Sequence, residues 1–411
     1  MIIYRATKSK FIEDALSRDI EVVVSEAYRE RTGVGVAAGE FRAWRESLLQ
    51  MARVLHDDGI PDRSGVAIEY KIPQTNRRID FIVTGLDETK SSKAIIVELK
   101  QWSTAKRTQK DGIVLARRGG RTGEVEGPHP SYQAWSYAAL LETFNTAVYE
   151  GGIGLRPCAY LHNYERDGEI DHAFYVPHIE RAPLFLKGAG ERRRLQEFIK
   201  RHVRYGDDGE LLYRIEDGRV RPSKMLADSV LGMLQGNDEF VLIDDQKLVF
   251  ETALQAARAS ERGAKQVLIV KGGPGTGKSV VAINLLATLI GREKNARYVS
   301  KNAAPRAVYE TRLVGSFRRT QISNLFSGSG SFVGVECDAF DVLIVDEAHR
   351  LNEKGGLFGN LGENQIKELI GAARCTIFFV DDDQRVTLRD IGHVGALREW
   401  AARIGATVTE C

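Results

Sequence analysis

The spacing of apolar and polar positions changes along the first half of the chain. Residues 11–55 repeat their apolar side chains at helical spacing, which predicts helices. Over residues 66–99 the period changes to two, which predicts three strands separated by turns. Residues 153–187 predict further strands, among them residues 171–179, and Glu191 to Tyr205 predicts a basic amphipathic helix.

The second half contains short runs that are almost entirely apolar. The first run opens residues 267–290, which read as an apolar strand, a glycine-rich turn and an amphipathic helix. Two further runs, residues 342–345 and 375–380, lead into acidic residues. A fully apolar run is typical of a parallel strand that is covered on both faces. We therefore predict an α/β protein whose second half has a mainly parallel sheet.

The glycine-rich turn carries the most specific chemical pattern. Gly272, four further residues and then Gly277-Lys278-Ser279 fit G-x-x-x-x-G-K-[ST] between a strand and a helix. Glycines let successive backbone N–H groups point at phosphate oxygens, and the helix N-terminus adds partial positive charge. Lys278 is expected to reach the β- and γ-phosphates, and the Ser279 hydroxyl to bind Mg²⁺. The predicted nucleotide-binding residues are Gly272, Gly273, Pro274, Gly275, Thr276, Gly277, Lys278 and Ser279.

A second group of chemically interesting residues lies on the predicted strands of the first half. Asp80 lies in the second strand, and Glu98-Leu99-Lys100 ends the third. Because side chains alternate along a strand, Glu98 and Lys100 project from the same face. Carboxylates from Asp80 and Glu98 suit Mg²⁺, and Lys100 could orient or activate a water molecule and offset charge on phosphorus. The alternative is a surface ion pair between Glu98 and Lys100.

Ile79-Asp80, followed 18 residues later by Glu98-Leu99-Lys100, resembles the PD-(D/E)XK restriction-endonuclease-like nucleases, with Ile79 in place of the usual proline. The resemblance implies an α/β nuclease domain that hydrolyses phosphodiester bonds with Mg²⁺. Asp80 and Glu98 would be its metal ligands, and Lys100 would complete the catalytic set.

The helix expected after these strands extends the resemblance. Gln133-Ala134-Trp135-Ser136-Tyr137 is similar to the Q-x-x-x-Y element of the RecB-type branch, which implies accessory catalytic roles for Gln133 and Tyr137. On the predicted helix at residues 40–55, Glu40 is a further candidate metal ligand, and Glu46 a weaker one. The alternative for both is a solvated helix position.

The second half resembles the first RecA-like domain of superfamily 1 helicases. Gln246 stands where those proteins have a glutamine that reads the adenine edge, which suggests ATP as the nucleotide. Asp346 would hold Mg²⁺, Glu347 would polarise the attacking water, and Gln384 would sense the γ-phosphate. Asn302 ends a predicted strand as in the helicase motif that contacts single-stranded nucleic acid.

With both resemblances taken together, the chain is similar to a bacterial nuclease–helicase fusion. They predict a nuclease domain at residues 1–188, a basic helix and linker at 189–222, and a P-loop domain at 223–411. Such helicases need a second RecA-like domain that supplies an arginine, and 27 residues follow Gln384. We therefore expect either a shortened product or an arginine from another chain or subunit.

Composition limits the classes of binding site and the cellular location that the sequence predicts. The 58 basic and 56 acidic residues nearly balance, so net charge does not decide whether nucleic acid binds. Four cysteines without a C-x-x-C pair argue against a zinc ribbon, an iron–sulfur cluster or a disulfide scaffold. A signal peptide and an 18-residue apolar segment are not found, so we expect a cytoplasmic protein without membrane partners.

Basic residues in the stretch 106–121 could contact phosphates or form a solvated loop; they are Lys106, Arg107, Lys110, Arg117, Arg118 and Arg121.

The sequence therefore favours a Mg²⁺-dependent nuclease that acts on nucleic acid, with DNA favoured over RNA, and that is coupled to or gated by an ATP-binding helicase-type domain. The resemblance suggests phage defence or DNA processing. Two alternatives stay open: an ATP-dependent module that binds or senses nucleic acid without cutting it, and a regulatory ATPase that acts on a protein partner.

Overall fold

The computed structural model describes the chain except for residues 74, 76, 118–122, 221–231, 233–240, 303–306, 310, 312, 314–324, 355–361 and 385–389. The chain forms two compact units, Met1–Ser223 and Lys224–Cys411. Helices and strands occur in both units, which confirms the predicted α/β class. Arg118, Arg121 and the predicted domain start at residue 223 lie outside the described residues.

The first unit surrounds a six-stranded sheet. Its helices are α1 Lys8–Ser17, α2 Ile20–Thr32, α3 Ala38–Leu55, α4 Pro130–Phe144, α5 Thr146–Tyr149, α6 Val176–Arg181, α7 Ala189–His202 and α8 Glu210–Asp217. Its strands are β1 Ile2–Thr7, β2 Gly65–Lys71, β3 Arg78–Leu86, β4 Ser92–Lys100, β5 Ala105–Arg107, β6 Ile113–Arg117, β7 Glu124–Pro128, β8 Gly154–Leu161 and β9 Leu184–Phe185.

The sheet has the order β1-β2-β3-β4-β8-β9, and β5-β6-β7 form a separate antiparallel sheet. Strands β1 to β4 pair antiparallel, whereas β8 joins β4 and β9 in parallel. Apolar residues of α1, α2, α3 and α7 pack on one face, and those of α4 and α8 on the other. The sheet therefore has a buried face on both sides.

The strand predicted at residues 171–179 is wrong. This stretch forms a 3₁₀ turn, Ala173–Tyr175, followed by α6. Pro177 lies in the first turn of α6, where the missing N–H costs nothing, whereas a central strand would need that donor. The His172 side chain caps the turn by accepting a hydrogen bond from the Phe174 N–H at 3.0 Å.

Two helices fall in the segment 189–222. The basic amphipathic helix predicted there is confirmed as α7, which buries Leu195 and Ile199. Helix α8 buries Leu211, Leu212 and Ile215 against the opposite face of the sheet. Both helices thus contribute apolar side chains to the first unit.

The second unit is built on a parallel sheet. Its helices are α9 Asp245–Ser260, α10 Lys278–Gly291, α11 Gln365–Ala372 and α12 Val394–Ile404. Its strands are β10 Gln266–Lys271, β11 Ala296–Ser300, β12 Phe326–Ser327, β13 Phe340–Asp346, β14 Ala373–Val380 and β15 Thr407–Glu410. Short 3₁₀ helices lie at Ser329–Phe332, Ala348–Arg350 and Asp382–Gln384.

The strands of this sheet follow the order β12-β11-β13-β14-β10-β15, and every pair is parallel. Successive residues of β10 enter two different hydrophobic clusters, so both faces of the strand are covered, as its apolar run predicted. Because the strands are parallel, the segments that follow β10, β11, β13 and β14 all leave from one edge of the sheet. The chemically interesting residues of this unit lie at that edge.

In the part of the chain that the structure describes, no helix combines the length and apolar character needed to cross a membrane.

Candidate functional sites

The loop between β10 and α10 has a backbone that requires glycine. Gly275 and Gly277 adopt φ angles of 74° and 83°, in the left-handed region that ordinary side chains disfavour. A Cβ on Gly277 would also lie 2.3 Å from the Nε2 atom of Gln246. The turn predicted from the motif therefore has a backbone that requires glycine, and α10 begins directly after it at Lys278.

Lys278 folds back over this loop. Its Nζ donates to the carbonyl oxygens of Gly272 and Gly273 at 2.6 and 2.7 Å, and it lies 3.7 Å from Oδ2 of the buried Asp381. The ammonium is thus held inside the curve of the loop, where the motif places the phosphates of a nucleotide. Asp381 follows β14 and was not singled out by the sequence.

The acidic end of β13 meets the start of α10. Ser279 Oγ donates to Asp346 Oδ2 at 2.7 Å, and the Glu347 N–H donates to Asp346 Oδ1 at 2.9 Å. Asp346 is 3% exposed. A hydroxyl and a carboxylate in contact are hard oxygen donors of the type that Mg²⁺ prefers. The residues present therefore fit the predicted magnesium site.

Glu347 has the properties of a base that accepts a proton from water. It adopts a left-handed backbone conformation with φ of 52°, directly after the end of β13 at Asp346. Burial, reinforced by the charge of Asp346, raises its pKa, and Arg350 and Lys278 oppose the shift. Within the described residues its Oε2 atom is buried and has no hydrogen-bond partner. Such an atom is available to a water molecule at the phosphate loop.

Three other predicted residues of this unit, Gln246, Gln384 and Asn302, differ in their contacts and exposure. The Gln246 Nε2 donates to the Thr276 carbonyl at 2.9 Å, so this side chain braces the phosphate loop. Gln384 is exposed at the end of the Asp382–Gln384 turn, and its N–H donates to the Asp381 carbonyl. Asn302 is exposed just beyond β11. Adenine reading, γ-phosphate sensing and nucleic-acid contact stay predictions for these residues.

The remaining loop residues complete the turn. Thr276 Oγ1 donates to the Gly273 carbonyl at 2.9 Å, and Pro274 is exposed at the tip. A Cβ on Gly272 would lie 2.9 Å from Thr276 Oγ1, which explains why this position is also glycine.

In the first unit, Asp80 lies where two strands separate. The ladder between β3 and β4 ends at the Phe81–Val97 pair. One residue further on, Asp80 Oδ2 accepts the Leu99 N–H at 2.8 Å, so a side chain replaces the backbone acceptor. This exchange brings the Asp80 carboxylate to the end of β4, beside Glu98.

Glu98 and Lys100 form a tight pair at this point. Lys100 Nζ lies 2.5 Å from Glu98 Oε1, and the side chains are 18% and 2% exposed, respectively. Burial raises the pKa of Asp80, while Lys100 is the leading influence that lowers it. The structure therefore brings Asp80, Glu98 and Lys100 together, with one ammonium close to two carboxylates.

Gln133 and Tyr137 lie on α4. The Gln133 Nε2 donates to the Tyr137 hydroxyl at 2.9 Å. Tyr137 packs in the same cluster as Ile96, which projects from the same face of β4 as Glu98. The helix that carries the Q-x-x-x-Y element thus covers the face of the sheet on which the charged pair lies.

Glu40 is engaged by an arginine. Its Oε1 forms an ion pair with Arg78 Nη1, and the same Nη1 lies 3.0 Å from Glu69 Oε2.

Within the described residues, no three His, Cys, Asp or Glu side chains are grouped as a metal site. Asp80 and Glu98 supply two carboxylates, the number that suits an ion which retains several water molecules.

Glu69 is a residue that the sequence analysis missed. It lies in β2 with a φ of 56°, it is 6% exposed, and its Oε1 accepts the Trp44 Nε1–H at 2.7 Å. Burial raises the pKa of Glu69 to about 7, and the charge of Asp80 adds to the shift. A glutamate within the otherwise apolar residues 66–70 of β2 was the available signal. Its position opposite Asp80 depends on strand pairing that the sequence does not display.

Two lysines of the basic stretch, Lys106 on β5 and Lys110 between β5 and β6, already have acidic partners. Lys106 Nζ lies 2.9 Å from Glu124 Oε2, and Lys110 Nζ lies 2.6 Å from Glu126 Oε2. Arg107 contacts His172 at 3.1 Å. The charges of Lys106 and Lys110 are therefore balanced within the protein itself.

Comparison with known proteins covers part of the chain. Residues 265–411 match the family described as Schlafen group 3, DNA/RNA helicase domain. No curated protein matches the chain. The match includes the phosphate loop, Asp346, Glu347 and Gln384, and it begins after Gln246. The C-terminal region is helicase-like, which indicates a function related to ATP and nucleic acid.

Proposed function

We propose that this chain is a Mg²⁺-dependent nuclease that hydrolyses phosphodiester bonds of DNA and is gated by its ATP-binding, helicase-type region. The observation that supports it most is the meeting of Asp80, Glu98 and Lys100 at the end of the β3–β4 ladder. In this proposal the nuclease domain spans residues 1–188, the basic helix and linker 189–222, and the P-loop domain 223–411. Another chain or subunit would supply an arginine to the ATP site. The biological role would be phage defence or DNA processing.

At the cleavage centre, Asp80 and Glu98 would hold the cation, which would supply an activated water molecule and neutralise phosphate charge. Lys100 keeps an ammonium 2.5 Å from Glu98, opposes the rise in the pKa of Asp80 and would offset charge on phosphorus. Gln133 and Tyr137 would approach the substrate from α4.

At the phosphate loop, Ser279 and Asp346 would hold the cation of Mg–ATP, which neutralises charge on the phosphates. Lys278 contributes a fixed positive charge inside the loop, and the raised pKa of Glu347 suits it to take a proton from water. Gln246 and Gln384 would contact the adenine and the γ-phosphate. Without an added arginine, hydrolysis would be slower by about three to five orders of magnitude, as in GTPases.

The test is cleavage of linear and circular, single- and double-stranded DNA with Mg²⁺, with and without ATP, and of RNA in parallel. Lys100→Ala is expected to abolish cleavage and to retain ATP binding, whereas Lys278→Ala is expected to lose ATP binding and any ATP effect on cleavage. Matched controls are Lys93→Ala, on the same strand as Lys100, and Lys271→Ala, an exposed lysine paired with Glu410. Cleavage that survives Lys100→Ala would refute the assignment.

One observation favours a second candidate function. Glu98 forms an ion pair with Lys100, and Asp80 accepts the Leu99 N–H, so each carboxylate of the centre already has a polar partner within the protein. A nuclease-like fold of this kind could bind or sense nucleic acid under ATP control without cutting it. Saturable, salt-sensitive binding without cleavage would favour that function. A lack of nucleic-acid binding would favour an ATPase that acts on a protein partner.

A further inference from the structure

Asp346 has a partner that no motif predicts. Its Oδ2 atom accepts the Tyr298 hydroxyl at 2.7 Å, in addition to the hydroxyl of Ser279. Tyr298 lies on β11, which pairs with β13 so that Ser300 is opposite Asp346 and Tyr298 is opposite Ile344. Side chains two residues apart share a face, so the ring of Tyr298 lies beside the strand that ends in Asp346.

The position of the ring is fixed by its neighbours. Tyr298 is 1% exposed, and its centroid lies 6.1 Å from that of Tyr309 and 5.7 Å from that of Phe326, both in edge-to-face contact. The Tyr298 hydroxyl donates the hydrogen bond to Asp346, since a phenol carries its proton at neutral pH. A buried donor aimed at one carboxylate oxygen is an arrangement that orients the carboxylate.

We infer that Tyr298 is a positioning residue for the cation of the nucleotide site, because its hydroxyl holds Asp346 in the orientation in which Asp346 and Ser279 bind Mg²⁺. The inference rests on the proposed function. Ser279 belongs to the implied donor set and its hydroxyl would be engaged by the cation, whereas a protonated phenol stays outside that set. Tyr298 and the Glu347 N–H can therefore keep both oxygens of Asp346 oriented.

The test compares Tyr298→Phe with Tyr309→Phe, the same chemical change on the neighbouring ring. The dissociation constant of a fluorescent ATP analogue is measured in EDTA and in Mg²⁺, and thermal unfolding of each variant is recorded. Phenylalanine preserves the aromatic contacts, so both variants are expected to fold. Affinity in EDTA is expected to stay within about twofold of wild type, because the phenol does not touch the loop that binds phosphate.

In wild type, Mg²⁺ is expected to increase the affinity for the ATP analogue. In Tyr298→Phe this increase is expected to be about tenfold smaller, which is the effect of removing a residue that hydrogen-bonds to a metal ligand. Tyr309→Phe is expected to retain it. Full tightening in Tyr298→Phe would overturn the inference and leave the proposed function standing. Equal losses in EDTA and Mg²⁺ would also overturn it, since they would show a structural role. If wild type itself shows no Mg²⁺-dependent tightening, the nucleotide function fails and the inference fails with it.

Discussion

The two candidate centres are built by different means. The phosphate site of the second unit is made largely by backbone: a loop that needs glycines, a helix N-terminus, and the aligned ends of parallel strands. The proposed cleavage site of the first unit is made by side chains: an aspartate that replaces a backbone acceptor and a lysine that pairs with a buried glutamate. A buried charged site depends on every member, because removing one charge leaves its partner buried and unpaired.

This difference predicts that changes in the cleavage centre will couple activity to stability. Lys100→Met removes the ammonium from a glutamate that is 1% exposed. We expect cleavage to fall by at least about a thousandfold, and the free energy of unfolding to fall by about 3 kcal/mol because a buried carboxylate loses its cationic partner.

The double variant Glu98→Gln/Lys100→Met separates the two effects. It removes both charges, so we expect most of the lost stability to return while cleavage stays absent. Urea unfolding and DNA cleavage are measured on both variants and on Lys93→Met. A double variant as unstable as the single one would show that the Glu98–Lys100 pair is not the source of the loss.

The phosphate site should show the opposite behaviour. Glu347→Gln keeps the shape of the side chain and removes the base, so ATP hydrolysis is expected to fall by about 10²–10³-fold. Nucleotide affinity and thermal stability should change little, because the loop and Lys278 are untouched. Phosphate release and nucleotide binding are measured, with Glu353→Gln, an exposed glutamate nearby, as the control. A comparable loss of nucleotide binding would mean that this site is not built mainly by backbone.

The same contrast explains what could be predicted from the sequence. The strand, turn and helix around Lys278 follow from a local pattern, and their arrangement in the structure confirms that part of the fold. The alternation that puts Glu98 and Lys100 on one face is equally local. Tyr298 and Glu69 could not be found this way, because their roles depend on which strands are neighbours and on a left-handed backbone conformation in β2. The strand prediction at residues 171–179 was wrong because it followed the apolar content of this stretch and disregarded Pro177, which disfavours a central strand.

Glu69 allows a test of the buried charges through pH. Its pKa is raised from 4.5 to about 7 by burial, so the protonated form is favoured in the folded state. The stabilisation is fully present below about pH 4.5 and is lost as pH rises through 7. Between pH 5 and 8 this group is expected to reduce the free energy of unfolding by about 2 kcal/mol.

Glu69→Gln should remove this part of the pH dependence, because an amide does not ionise. Urea unfolding followed by tryptophan fluorescence suits the measurement, since Trp44, Trp102 and Trp135 lie in the first unit. Glu46→Gln, an exposed change on α3, is the control and should leave the slope unchanged. Identical slopes in wild type and Glu69→Gln would contradict the assignment of a raised pKa to this group.

The smallest effect is expected at the β5-β6-β7 sheet, where Lys106 on β5 pairs with Glu124, and Lys110 between β5 and β6 pairs with Glu126. A lysine that is already neutralised contributes little to phosphate binding, so Lys106→Met is expected to weaken DNA binding by less than about twofold. Fluorescence anisotropy at several salt concentrations measures both affinity and salt dependence. Glu124→Gln is the matched variant, since it frees the same lysine and should strengthen binding if this sheet faces DNA. A salt slope that falls by about one in Lys106→Met would show instead a direct phosphate contact, and would extend the nucleic-acid surface beyond the centre at Asp80.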